Sequence, residues 1–411
     1  MERFGRFFFT AALAGLVGAG IGGMARAAGA PDPGDWQAVL EDARGETVYF
    51  NAWAGEARIN DFIAWVGRRV KEDYGVTLVH VKIDDAAAVV SRVLAEKTAG
   101  KTDGGSVDLI WINGENFAAM KRQDLLMTPG WADRLPNFSN VDVEGKPTVV
   151  TDFTVPTDGL EAPWGMAQLV FYYDSARLAE PPRSPAELLE WAKKNPGRFT
   201  YPQPPDFTGS TFLKQALIGL VDDPAVLQKP VEDADFDKVA APLFAFLDDL
   251  HPVMWRSGRA FPQNASALRQ LIADGETDIA FSFTQSEASS AIARGELPES
   301  VRSFVFTDGT IGNTHFVAIP FNANAKAGAL VVANFLMSPE AQAEKQKPEV
   351  WGDFTVLDVA GLDAGDRTLF EDIDLGVATL SPADLGTALP EPHPSWMVRL
   401  EEAWTERYGA Q

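Results

Sequence analysis

Reactive side chains are few in this chain and are not grouped. Its 411 residues include no cysteine, which excludes disulfides, thiolate metal sites and a cysteine nucleophile. The four histidines, His80, His251, His315 and His393, stand far apart, and none has a partner at metal-ligand spacing. His80 falls in a strand pattern, and His251 and His393 lie beside prolines, so only His315 invites a functional test. No G-x-S-x-G, H-E-x-x-H or phosphate-binding P-loop occurs. Thr208-Gly209-Ser210-Thr211 lacks the closing glycine of a nucleophile elbow. The expectation is a protein that recognises rather than transforms, with no catalytic residue, metal or cofactor.

Groups suited to recognition are more numerous. Trp53, Trp111, Trp164, Trp255 and Trp351 offer rings that stack on planar or cationic solutes, or that fill a core. Trp111 alternates within a strand and reads as core, whereas Trp53 and Trp164 stand at strand ends and admit either reading. Glu56 and Glu115 would balance a cation, or are first-turn carboxylates favoured by the helix dipole. Phe207-Thr208-Gly209-Ser210 leads into a helix and makes either an anion cradle or a plain N-cap. Arg58 adds a counter-charge there or faces solvent.

These residues hang on alternating elements. Thr47 to Phe50, Val76 to Ile83 and Val107 to Ile112 read as strands. Helices follow them over Ile59 to Tyr74, Ala86 to Thr98, and from Asn113-Gly114-Glu115-Asn116 through Leu126. Strand-helix alternation predicts a mostly parallel sheet with helices on both faces, and ligands then bind beyond the carboxyl ends of the strands. Residues 128–160 read as irregular, and Ala162 to Asp174 as one long apolar strand. Beyond it come a helix capped by Ser184, a short strand Phe199 to Tyr201, helices over Phe236 to Leu250 and Leu268 to Ala273, and a strand Asp278 to Phe283.

Charge and targeting narrow the setting. Asp and Glu outnumber Lys and Arg 58 to 35, a formal charge of −23, which argues against nucleic-acid binding. Residues 1–27 read as a secretory signal peptide: Arg3 and Arg6, an uncharged run from Phe7 to Gly23, then Ala25-Arg26-Ala27, with cleavage expected before Ala28. Without cysteine there is no lipobox, so the expected mature chain is free and, if a receptor, periplasmic.

The segment Thr314 to Gln346, with Ala318-Ile319-Pro320, Asn322, Phe335-Leu336 and Ser338-Pro339-Glu340-Ala341-Gln342, resembles the same part of extracellular solute-binding proteins, the receptors of ABC importers. Pro163 to Asp174 resembles their first crossover strand. Thr310-Ile311-Gly312-Asn313-Thr314-His315-Phe316 and the Pro392-His393-Pro394-Ser395-Trp396 ending look like the YnjB-type subgroup. The order of segments extends the resemblance over most of the mature chain. It implies an α/β two-lobe type II periplasmic-binding-protein fold, each lobe a mostly parallel sheet flanked by helices. Residues 28–160 would form lobe 1, 161–306 lobe 2, 307–346 a return to lobe 1, and 347–411 a tail mostly in lobe 2. The implied function is capture of a small solute between closing lobes for delivery to an ABC permease and ATPase, by a monomer that binds no nucleic acid. The parallel-sheet rule puts Trp53, Gly55, Glu56, Asn113, Gly114, Glu115 and Asn116 on one rim. Trp164 and Gln168 fall at the first crossover and Thr310 and Asn313 at the second. Phe207, Thr208, Gly209, Ser210, Ser282, Thr284 and Gln285 would face them from lobe 2. The alternative is a secreted hydrolase or lyase with an unrecognised acid pair.

Overall fold

The structure is a computed structural model that describes residues 31–386 and 388–409; the leader lies outside them. The first half alternates as its periodicity requires: α1 (Trp36–Ala43), β1 (Thr47–Trp53), α2 (Ala57–Tyr74), β2 (Thr77–Ile83), α3 (Ala86–Thr98), β3 (Leu109–Ile112) and α4 (Glu115–Arg122). Short strands β4 (Thr151–Asp152) and β5 (Val155–Pro156) precede β6 (Glu161–Gln168) and β7 (Val170–Asp174). Next come α5 (Pro185–Lys194), α6 (Phe207–Leu220), α7 (Phe236–Leu250), α8 (Ala265–Ala273), β8 (Ile279–Ser282), α9 (Glu287–Ala293), β9 (Val301–Phe304) and β10 (Gly312–Ala318). The chain ends with α10 (Lys326–Leu336), α11 (Pro339–Gln346), α12 (Ala364–Glu371), α13 (Pro382–Leu385) and α14 (Pro394–Tyr408).

Two sheets carry two cores. The first has the order β2-β1-β3-β10-β6, with β1 parallel to β2 and β3, and β10 antiparallel to both its neighbours. α2 lays Ile59, Phe62, Ile63, Val66 and Val70 against it at helical spacing, and stops at Gly75, whose φ of 74° suits glycine. The second sheet, β8-β7-β9, is antiparallel throughout. This corrects the expectation of a mostly parallel second sheet: β7 enters at the middle, and both neighbours run against it. Phe199-Thr200-Tyr201, expected as a strand, is buried but joins no ladder, because Phe199 C=O accepts from Trp255 N–H in a loop instead.

The expected long strand 162–174 is broken at Leu169 into β6 and β7, one in each sheet. Leu169 N–H donates to Ile311 C=O at 2.8 Å, and Leu389 N–H donates to Thr310 C=O at 2.8 Å. Three connections between the cores therefore run side by side. Gln168 Nε2 binds Thr310 Oγ1 (3.3 Å) and Leu385 C=O (3.1 Å), which ties all three together. The tail divides: Trp351, Val356, Leu357 and Phe370 pack in the first core, while Trp396, Leu400 and Trp404 of α14 pack in the second.

Candidate functional site

The carboxyl ends of β1 and β3, the start of β10 and the starts of α6 and α9 face one another where the lobes meet, and two rims of different character result. At the first rim Glu56 precedes α2 and Arg58 lies on its first turn. Arg58 Nη2 donates to Glu287 Oε2 at 2.5 Å across the interface, and Nη1 to the Trp351 carbonyl at 3.1 Å. Arg269 of α8 binds Glu56 Oε2 at 3.1 Å and also Glu287 Oε1, and Ser266 Oγ donates to Glu56 Oε2 at 3.3 Å. Two acids meet two bases here. Burial would raise the Glu287 carboxyl, but Arg58 and Arg269 hold it below the ordinary range.

The second rim is acidic. Gly114, the N-cap of α4, has φ 61°, and a Cβ there would lie 2.8 Å from the Phe153 ring, so only glycine fits. Its N–H donates to Asp152 Oδ2 at 2.6 Å. Glu115 follows and accepts from Asn116 Nδ2 at 2.7 Å. Opposite, Lys214 of α6 is fully buried; its Nζ donates to Glu391 Oε2 at 2.6 Å and lies over the rings of Phe153 (4.5 Å) and Phe207 (5.3 Å). Glu391 Oε1 accepts from Asn313 Nδ2 at 3.0 Å, and Glu401 of α14 accepts from Ser210 Oγ at 2.5 Å. Burial is the main reason the Glu115 and Glu401 carboxyls rise to about 7. Asp85 raises both further, Lys214 opposes, and the Ser210 hydrogen bond also opposes at Glu401. Asp152 is raised well above its ordinary value, again chiefly by burial.

The structure shows where the residues singled out from the sequence lie and what they bond. Thr208, Gly209 and Ser210 do not form an anion cradle, because Asp206 Oδ1 already accepts from the N–H groups of Thr208 (3.0 Å) and Gly209 (3.2 Å). Trp164 is wholly buried among Phe50, Phe62, Trp111 and Trp351, and so belongs to the core rather than a cleft wall. Trp53 is partly buried against the same core, its ring folded over Gly55. Asn113 Nδ2 donates to Thr314 C=O, and Gln285 Nε2 to Met166 C=O, joining β8's end to the crossover strand. Ser282 Oγ accepts from Thr284 N–H and shapes that turn. Gln168 and Thr310 hold the crossovers together. His315 binds Asp353 and stacks on Trp351. Among the described residues no three His, Asp or Glu converge as a metal site.

Lys214, Glu391, Glu401, Asp152, Phe153, Arg269 and Glu287 escaped the sequence reading. One signal was visible: Lys214 is the only charged residue of α6 in an otherwise apolar and small-residue helix. The surface depression of about 490 Å³ that includes Gln215, Phe306 and Pro390 shares no residue with either rim.

Residues 65–365 match the family model of bacterial extracellular solute-binding proteins. The chain is 48% identical over 375 residues to Protein YnjB of Escherichia coli strain K12, covering 91% of this chain and 94% of that protein. Among solved structures it resembles the periplasmic binding protein AfuA of Actinobacillus pleuropneumoniae, with fructose-6-phosphate bound (TM-score 0.60, 15% identity, 89% of this chain and 99% of that one). It also resembles a putative spermidine/putrescine ABC transporter protein of Listeria monocytogenes (TM-score 0.61, 15% identity, 89% and 99%). At that identity the two structures speak to the fold alone. The family match and the 48% relative together place the chain in the bacterial extracellular solute-binding family, as a receptor of ABC import and not an enzyme.

Proposed function

We propose that the solute is held between the two rims, with Glu115, Asn113, Asn313, Ser210 and Gln285 nearest to it, and that the lobes close over it about the triple crossover. Lobe 1 would comprise residues 28–168 and 312–346, and lobe 2 residues 170–306, with the tail shared between them; the expected boundary at 160/161 moves because β6 pairs in the first sheet. The mature receptor would begin at Ala28, work in the periplasm as a monomer, and present its closed form to a permease and ATPase complex. The observation that carries this reading is the convergence of buried polar side chains from both lobes at the strand ends. A packed core does not call for the Arg58–Glu287 pair between lobes, nor for Lys214 of lobe 2 lying over the Phe153 ring of lobe 1.

Small-angle scattering with and without solute tests it, beside thermal melting. A solute at about 100 times its dissociation constant adds about 2.7 kcal/mol of stability, and the radius of gyration should shrink. Stabilisation without compaction would place binding outside the interlobe space. N-terminal sequencing of envelope protein checks the Ala28 start.

A further inference from the structure

We propose that the solute is an organic cation whose charged end is received by the second rim, between Glu115 of α4 and Glu401 of α14. This rests on the interlobe site proposed above and adds the chemical class of what enters it.

Charge is the first ground. Glu115, Asp152, Glu391 and Glu401 come from four separate segments, and Lys214 is the cation set among them. Lys214 is already engaged, bonded to Glu391 and closed off from solvent. What is left over is acid: the Glu115 and Glu401 carboxyls titrate at about 7, so a cation draws them into the charged form, whereas an anion finds no countercharge among them. The first rim shows that this is not general to the interface, since Glu56 and Glu287 there are matched by Arg58 and Arg269.

The second ground is aromatic. Phe153 and Phe207 stand on opposite lobes, and both present their faces to the Lys214 ammonium, at 4.5 and 5.3 Å. Ring faces beside carboxylates are the surroundings that hold an ammonium away from water. The rim thus already accommodates one such group, supplied by the chain itself.

The third ground is unmet hydrogen bonding. Asn313 gives its Nδ2 to Glu391, while its Oδ1 has no partner among the described residues, although the side chain is only 3% exposed. Asp152, 1% exposed, accepts Gly114 N–H at Oδ2 and has no partner at Oδ1. Asn313 Oδ1 is an acceptor, and Asp152 Oδ1 becomes one when a cation draws the proton from its carboxyl. A buried acceptor without a donor is costly, and a guest carrying N–H groups relieves that cost at Asn313 where an anion cannot. The carboxyls do not converge as metal ligands do, so the charge they match is spread over an extended ion.

The test uses the purified mature protein, stripped of solute by reversible unfolding and dialysed against a defined mixture. The mixture holds diamines, polyamines, quaternary ammonium compounds and amino sugars, with matched dicarboxylates, sugar phosphates and neutral sugars. Retained compounds are identified by mass spectrometry for the wild type and for Glu115→Gln and Glu401→Gln, which keep shape while removing charge. The expected result is retention of cations by the wild type and a loss of affinity of about thirtyfold or more in each variant. Retention of an anion or a neutral sugar would overturn the cation inference and leave the receptor site standing. So would undiminished cation retention in both variants, which would mean attraction to the acidic surface at large. If the wild type retains nothing, the interlobe site itself fails and the inference fails with it.

Discussion

The two rims are built from the same materials to opposite effect. At the first, Glu56, Arg58, Arg269 and Glu287 cross the interface and satisfy one another, so charge is cancelled before any guest arrives. At the second, one lysine answers several carboxyls, and burial raises Glu115 and Glu401 to about 7, so that near neutral pH each holds its proton only in part and a cation would displace it. The difference assigns different work to each side. The balanced rim supplies an attraction between lobes that is present in every state in which they touch. Under the proposed function the acidic rim would resist closure on its own and be relieved by the cation it binds.

The largest expected effect removes a ring from the core beneath the rims. Trp164→Ala should cost about 3–5 kcal/mol in urea unfolding, because the ring is fully buried against four other aromatic residues. A loss under about 1 kcal/mol, with weaker solute binding, would return Trp164 to the cleft. Next comes the balanced rim. Arg58→Met leaves the buried Glu287 with Arg269 alone and should cost about 3 kcal/mol. It should also expand the solute-free protein in scattering. Unchanged compactness would show that the ion pairs do not hold the lobes together.

Much of the fold was legible because helical spacing and buried strands leave strong periodic marks: α3 and α7 fall at the residues their patterns indicated. The break at Leu169 was not legible, since Ala162 to Asp174 stays apolar through it and only tertiary pairing decides which sheet each half joins. The site was half legible. Gly114 and Glu115, after β3, follow from the parallel-sheet rule, and Asn313 from the expected second crossover. Glu391 and Glu401 lie in the tail, 78 residues from Asn313 and 191 from Ser210, and no local spacing predicts those contacts. The Thr208–Ser210 reading failed for a local reason: Asp206, just before the motif, satisfies the N–H groups that an anion would have used.

The acidic rim should also show in the pH dependence of stability. Glu115 and Glu401 at about 7 and Asp206 at about 6 hold protons in the folded state that the unfolded chain, titrating near about 4.3 for Glu, has already released. Stability attributable to them is therefore lost as pH rises from about 4.5 to 7. Glu287, held low, acts with the other sign: its contribution is present above the ordinary carboxylate range and lost on acidification below it. The groups facing Glu115 are Lys214 on α6, Asp85 before α3, Asp152 on β4, and Glu391 and Glu401 in the tail. Glu115→Gln should flatten the decline between pH 5 and pH 7 in thermal melts, while a bound cation should abolish it and release protons to the buffer. A rise in stability over that interval would contradict the acidic rim.

The smallest effect separates a cap from a cradle at the start of α6, and with it two opposite solute charges. Asp206 accepts from two of the helix's free N–H groups, so Asp206→Ala should cost about 1 kcal/mol, the usual worth of an N-cap. In the wild type these N–H groups are engaged by a carboxylate, so inorganic phosphate should leave the melting temperature unchanged. In Asp206→Ala they are exposed at the positive end of the helix dipole, and phosphate should recover part of the loss. The comparison is sharp because the same anion is expected to do nothing in one protein and something in the other. Phosphate stabilising the wild type would mean that the helix start still has donors for an anion. That would turn the site toward acidic solutes and set α6 against the charge of Glu115 and Glu401 across the same space.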